Sequence, residues 1–207
     1  MDKVIYLIRH GQTEYNRKGV VQGSGIDAPL NETGRLQAEA FYKTYHNIPF
    51  DYVYTSVLQR SIQSVNGFLK DGLPTTQLAG LNEINWGVKE GKVPTTEEHS
   101  YYNKIINGWR EGKLDIAIEG GESPVMVQER QKSALEHILS HPDQKQVLIC
   151  MHGRAMRIFL CLMMNRNLRE MDQFAHTNLG LYLLHYHAHN KRFEIIKEND
   201  QSHLLEV

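Results

Sequence analysis

Two short stretches of the chain are apolar at nearly every position, Val4 to Ile8 and Val147 to Met151. Both are rich in β-branched residues, and such runs read as strands covered on both faces, as in a parallel sheet. Each stops at a histidine–glycine pair, His10-Gly11 after Arg9 and His152-Gly153 after Met151. Other stretches carry a helical period. Asn31 can cap a helix reaching about Tyr45, and Thr95 with Glu98 forms a capping box for one running toward Trp109. Ser123 followed by Pro124 starts a third, with Val127, Ala134, Leu135, Ile138 and Leu139 on one face. The helix opened by Gly153 is apolar all round from Ala155 to Met164, so it should be buried. Further strands are predicted around Asp51 to Thr55, Gly180 to His187 and Arg192 to Lys197.

Strands alternating with helices predict an α/β fold: a three-layer α/β/α sandwich with a mostly parallel central sheet and an antiparallel edge from the last two strands. Residues 1–207 read as one domain. The segment from Gly87 to Gly121, with glycines, lone aromatics and charges, reads as a small lid insertion over the sheet edge.

Composition narrows the partners. A formal charge of −1 provides no global field for nucleic acid or an anionic membrane, so any anion must be bound locally. The longest apolar run, Ile158 to Met164, is far short of the roughly 20 residues that span a bilayer. No signal-peptide pattern precedes the first strand, and Cys150 and Cys161 match neither a disulfide framework nor a zinc spacing. The expectation is a cytoplasmic protein that needs no metal.

Ligands of open α/β sheets sit beyond the carboxyl ends of the strands, where His10 and His152 both fall. Arg9 adjoins the first, and Arg60 follows the strand ending at Thr55. Two imidazoles and two guanidiniums suit a phosphoryl group, which accepts charge-assisted, bidentate hydrogen bonds. His185, His187 and His189 alternate and on a strand would share one face, a spacing that an incidental metal could use and that an exposed edge explains equally.

The string Leu7-Ile8-Arg9-His10-Gly11-Gln12-Thr13-Glu14-Tyr15-Asn16 resembles the signature of the histidine phosphatase superfamily, which contains the phosphoglycerate mutases and many phosphatases. Gln22-Gly23, Asp27-Ala28-Pro29-Leu30, Tyr54 to Arg60, Leu81-Asn82-Glu83, Gly120 to Ser123 and Met151-His152-Gly153 follow in the family's order. Gln12, Tyr15, Ser61 and Lys89 depart from its usual residues without removing a charged catalytic group.

The resemblance implies a phosphomonoesterase of the phosphatase branch that acts on a small phosphorylated metabolite through a phosphohistidine, without cofactor or metal. It makes His10 the nucleophile, Glu83 the general acid and then base, and Arg9, Arg60 and His152 the groups around the phosphoryl oxygens. Asn16 and the Gly11 and Gly153 amides would be further donors, with Gln22 and Gly23 covering the site. Asn178 is a further polar candidate, and Glu122 could touch the site. The alternatives are a cofactor-dependent phosphoglycerate mutase, a non-catalytic phospholigand-binding module and a metallohydrolase built on the same histidines. Glycolytic mutases of the family carry a longer insertion after the acid, with basic residues for the substrate carboxylate, whereas Gly87 to Gly121 is short.

Overall fold

The computed structural model describes residues 1–93 and 95–205. Strands β1 (Lys3–Arg9), β2 (Tyr52–Thr55), β3 (Thr75–Gln77) and β4 (Gln146–Met151) run parallel, and β5 (Leu181–His187) and β6 (Arg192–Asp200) complete the sheet as an antiparallel pair beside β1. The spatial order is β3-β2-β4-β1-β5-β6. Ile5, Leu7, Val147, Ile149 and Met151 pack on one face with residues of α5 (Thr96–Arg110), α6 (Pro124–Leu139) and α7 (Gly153–Met163). Tyr6, Ile8, Leu148 and Cys150 face the opposite layer, which includes α2 (Glu32–Tyr45) and α4 (Asn66–Lys70). Helices on both faces therefore account for the unbroken apolar runs of β1 and β4, since a strand with no wet face has no position to leave polar. Both cysteines are free and buried in these layers.

The predicted helix starts form, although the capping box expected at Thr95 is only half made. Asn31 accepts from Gly34 N–H at 2.8 Å, Thr95 from Glu98 N–H at 3.2 Å, and Ser123 from Met126 N–H at 3.3 Å. At Thr95 the Glu98 carboxylate takes the Lys89 ammonium at 2.5 Å. Lys89, 4% exposed, is thereby tied to the first turn of α5. The segment expected as a lid contributes Ile105, Ile106 and Trp109 of α5 to the main core, and Trp86 stacks on Trp109 with ring centroids 5.7 Å apart. It is a packed wall.

Short elements escaped the periodic reading: α1 (Glu14–Lys18) and β3, whose Thr-Thr-Gln sequence contains no apolar residue. Connectivity matters most for the site. From β1 the chain passes over β4 to reach β2, and from β4 it crosses to β5 on the far side of β1. The adjacent carboxyl ends of β1 and β4 are thus the point where the winding changes direction, the usual ligand crevice of such sheets.

Candidate active site

Pairing of Arg9 with Met151 brings the two histidine–glycine ends together, and the His10 amide donates to the Met151 carbonyl at 3.0 Å. The rings of His10 and His152 lie 5.1 Å apart between centroids. His10 Nδ1 lies 2.7 Å from the Gly11 carbonyl, an acceptor only, so Nδ1 carries the proton and Nε2 keeps its lone pair. Asn178 donates to the His10 carbonyl at 2.9 Å and fixes the backbone from the other side.

Burial, then the guanidiniums of Arg60 and Arg9, hold the His10 imidazole well below its ordinary range. Burial and the Arg60 charge do the same for His152. Both rings are therefore neutral near pH 7. Arg60 is fully buried: Nε donates to His152 Nδ1 at 3.2 Å, while Nη1 and Nη2 bind the carbonyls of Ile26 at 2.7 Å and Gly23 at 3.1 Å. The proton of His152 consequently sits on Nε2, directed at Ser56 Oγ 2.7 Å away. Ser61 continues this chain, 2.8 Å from Ser56 Oγ and donating to the Leu58 carbonyl at 2.8 Å. Both nitrogens of His152 thus have protein partners, and a phosphoryl group bound there would compete for Arg60 Nε–H. Arg9, its guanidinium pulled down to about 10 chiefly by burial, remains a cation and lies against His176.

Glu83, 7% exposed, reaches the first turn of α7. Its Oε1 accepts from Ile84 N–H at 2.9 Å and Ala155 N–H at 2.8 Å, and Oε2 accepts from Arg154 N–H at 3.1 Å. A carboxylate at a helix N-terminus satisfies orphan amides and meets the positive end of the helix dipole. The loop carrying it is clamped by Arg130, which donates to the carbonyls of Gly80, Asn82 and Glu83. Glu122 does not line the site. It holds Arg130 at 2.8 Å and accepts the Asn85 amide at 2.9 Å, bracing the acid loop from behind.

Beside them lies a cavity of about 180 Å³ lined by Arg9, Asn16, Val21, Gln22, Glu83, Trp86, Tyr102, Gly153, Arg154 and His176; His10, Arg60 and His152 are not among its lining residues, although Arg9 and Gly153 adjoin the two histidines in sequence. Two of its donors, Arg9 Nε and Gln22 Nε2, are buried without a hydrogen-bond partner among the described residues. Gln22 is aimed by Thr13, whose hydroxyl donates to Oε1 at 2.7 Å. Asn16 uses its carbonyl oxygen on the Thr13 amide and on Asn178. A Cβ on Gly153 would stand 3.0 Å from the His176 ring and 3.3 Å from Arg9, which explains glycine there. The Gly11 amide is spent differently from expectation: it donates to Ser64 Oγ at 2.9 Å, so it positions the loop and is not a free phosphoryl donor. Gly23 contributes its carbonyl to Arg60.

Sequence reasoning missed His176, Arg130, Arg154 and Ser64. His176, pushed down to about 3 by burial and the Arg9 charge, arrives from the loop before β5, and nothing local marks it. Arg154, immediately after the second histidine–glycine pair, was within reach of the same argument. It packs near Trp86 and Trp109 and binds Asp172 at 2.6 Å.

The chain is 32% identical over 155 residues to fructose-2,6-bisphosphatase TIGAR B of Danio rerio, matching 72% of this chain and 56% of that protein. The chain thus spans little more than half the length of that relative. It is 30% identical over 187 residues to a 2,3-bisphosphoglycerate-dependent phosphoglycerate mutase of Cytophaga hutchinsonii, 86% of this chain and 83% of the relative. Among solved structures, Bacillus stearothermophilus YhfR superposes with a TM-score of 0.83 at 26% identity, covering 98% of this chain and 99% of that one. The family model of the histidine phosphatase superfamily, branch 1, matches residues 5–200, and the chain belongs to that superfamily.

Proposed function

We propose that the protein is a phosphomonoesterase that transfers the phosphoryl group of a small phosphorylated metabolite to His10 Nε2 and then to water. The observation that supports this most strongly is a small cavity holding the buried, unpartnered donors Arg9 Nε and Gln22 Nε2, with Arg9 immediately before a neutral His10 whose Nδ1 proton is held by the Gly11 carbonyl. A neutral imidazole nitrogen can attack phosphorus, and preorganised donors lower the energy of the charge that spreads over the phosphoryl oxygens.

In the first step His10 Nε2 forms the N–P bond as the ester P–O bond breaks. Glu83 passes a proton to the departing alkoxide. In the second, Glu83 as carboxylate takes a proton from water, whose oxygen attacks phosphorus and releases His10 and inorganic phosphate. Arg9 and Arg60 supply positive charge throughout, and His152 orders Arg60. No step requires a metal, so turnover should be unchanged in EDTA.

Hydrolysis is favoured over mutase chemistry by the segment after Glu83, where the basic residues other than Lys104 are engaged within the chain. Lys89 and Lys92 pair with Glu98, Lys113 with Glu111 and Arg110 with Asp172. The test is incubation with 3-phosphoglycerate with and without bisphosphoglycerate. Phosphate release independent of the bisphosphate supports the phosphatase, and bisphosphate-dependent formation of 2-phosphoglycerate that outpaces phosphate release overturns it. Absence of turnover and of a phosphoenzyme across sugar phosphates, phosphoglycerates, nucleotides and phosphopeptides would indicate a binding module.

A further inference from the structure

The end of the sheet opposite the phosphoryl site holds a second cluster of chemistry-bearing side chains. His185 and His187 lie two apart on β5 and share a face, and their rings approach to 4.2 Å between centroids. Antiparallel pairing sets Lys3 opposite Tyr186, so Asp2, one residue earlier on the β1 side, arrives beside His187. The Asp2 carboxylate is oriented: Oδ1 accepts the Ala188 amide at 2.8 Å, leaving Oδ2 3.9 Å from His185 Nε2. On the other side β6 brings Glu194 opposite His185, with Oε2 3.4 Å from His187 Nε2. One donor atom from each of Asp2, His185 and His187 lies within 4.8 Å of the others.

We propose that Asp2, His185 and His187 form a binding site for a divalent metal ion of the zinc class, unrelated to catalysis. Two imidazoles and a carboxylate are borderline donors that suit Zn²⁺, whose bonds of about 2.0 to 2.2 Å would draw the three atoms together by rotamer adjustment alone. The backbone bond from Ala188 plays the orienting part that an outer partner plays for a metal-bound carboxylate. Glu194 can take a fourth position, with water as its substitute.

The consequence is a clip. Asp2 immediately precedes β1, so the ion joins the start of the chain to the β5–β6 edge. His10 lies eight residue steps beyond Asp2, which at about 3.3 Å per step sets the two sites roughly 26 Å apart. Metal binding should stabilise the fold and leave phosphoester turnover untouched.

The test is calorimetric titration of the chelator-treated, tag-free full chain with ZnCl₂, alongside thermal unfolding. Saturable one-to-one binding with a raised Tm is expected, weakened about tenfold or more in His185→Ala, His187→Ala and Asp2→Asn. All three residues are at least partly exposed, so these variants should fold, and unchanged phosphatase activity checks that they do. No saturable binding, or Zn²⁺ binding undiminished in His185→Ala/His187→Ala, overturns the proposal. Loss of phosphatase activity on saturating the wild type with Zn²⁺ would refute its separation from catalysis.

Discussion

Glu83 caps α7, and the proposed mechanism also makes it the acid and base, two roles that one substitution can separate. In Glu83→Gln, Oε1 can keep the Ile84 and Ala155 amides, but an NH₂ group now faces the Arg154 amide that Oε2 accepted at 3.1 Å. One charge-assisted hydrogen bond is lost, about 1.5 to 3 kcal/mol, together with a few tenths of a kcal/mol of charge–dipole attraction at the start of α7. A net cost of about 2 to 3 kcal/mol lowers Tm by about 4 to 12 °C for a chain of this size. The chemical effect is larger and depends on the leaving group. An alkoxide needs the proton, so phosphorylation of His10 by an alkyl phosphate should slow by about 100- to 10,000-fold. The p-nitrophenolate ion leaves without one, so its step should slow less than about tenfold. Since the proposed mechanism has Glu83 activate water as well, stopped-flow mixing of the variant with p-nitrophenyl phosphate should give a burst of nitrophenol near enzyme stoichiometry, then slow turnover. The reasoning is refuted if alkyl and aryl substrates lose the same factor, or if the burst is slowed as much as steady-state turnover.

Other consequences follow from the same contacts. Arg130→Met removes the clamp on the Glu83 loop and should lower kcat about tenfold while KM moves less than about twofold, with Arg130→Lys recovering only part because an ammonium cannot fork across three carbonyls and a carboxylate; steady-state kinetics read both. Gly34→Ala places a methyl 2.1 Å from the Gln12 carbonyl oxygen, backbone that cannot swing aside, so despite alanine's helix preference a net loss of about 1 to 3 kcal/mol is expected in urea unfolding. The native imidazoles of His10, His152 and His176 are all held below their unfolded value, so the unfolded chain binds more protons as pH falls below about 6.5. Stability is therefore full above that pH and declines beneath it, each ring adding up to about 1.4 kcal/mol per pH unit, and His176→Asn should flatten the Tm profile between pH 6.5 and about 4.

How far the chain could be read depended on whether a role is written locally. The strands β1 and β4 declare themselves because burial on both faces forbids polar positions, and Asn31, Thr95 and Ser123 mark helix starts through bonds spanning three residues. The histidine–glycine ends converge because parallel pairing places Arg9 beside Met151. What stayed hidden is set by distant partners. Arg130 looks like any polar residue of α6 until the fold lays its guanidinium under the Glu83 loop, and His176 meets Arg9 across 167 residues of sequence. The Gly11 amide was misassigned for the same reason, since only the tertiary position of Ser64 claims it. The segment from Gly87 to Gly121 looked like a cover because its apolar residues are scattered, yet Ile105, Ile106 and Trp109 gather on one side of α5.

The central claim is that phosphorus becomes bonded to His10. Rapid mixing of the protein with a turned-over phosphoester, alkaline quench and peptide mass spectrometry should find one phosphoryl group on the peptide containing His10. It should be lost on mild acid treatment and absent from His10→Ala, which also lacks turnover. Full turnover in His10→Ala, or a phosphoryl group that maps to another residue and forms at the turnover rate, would contradict the account.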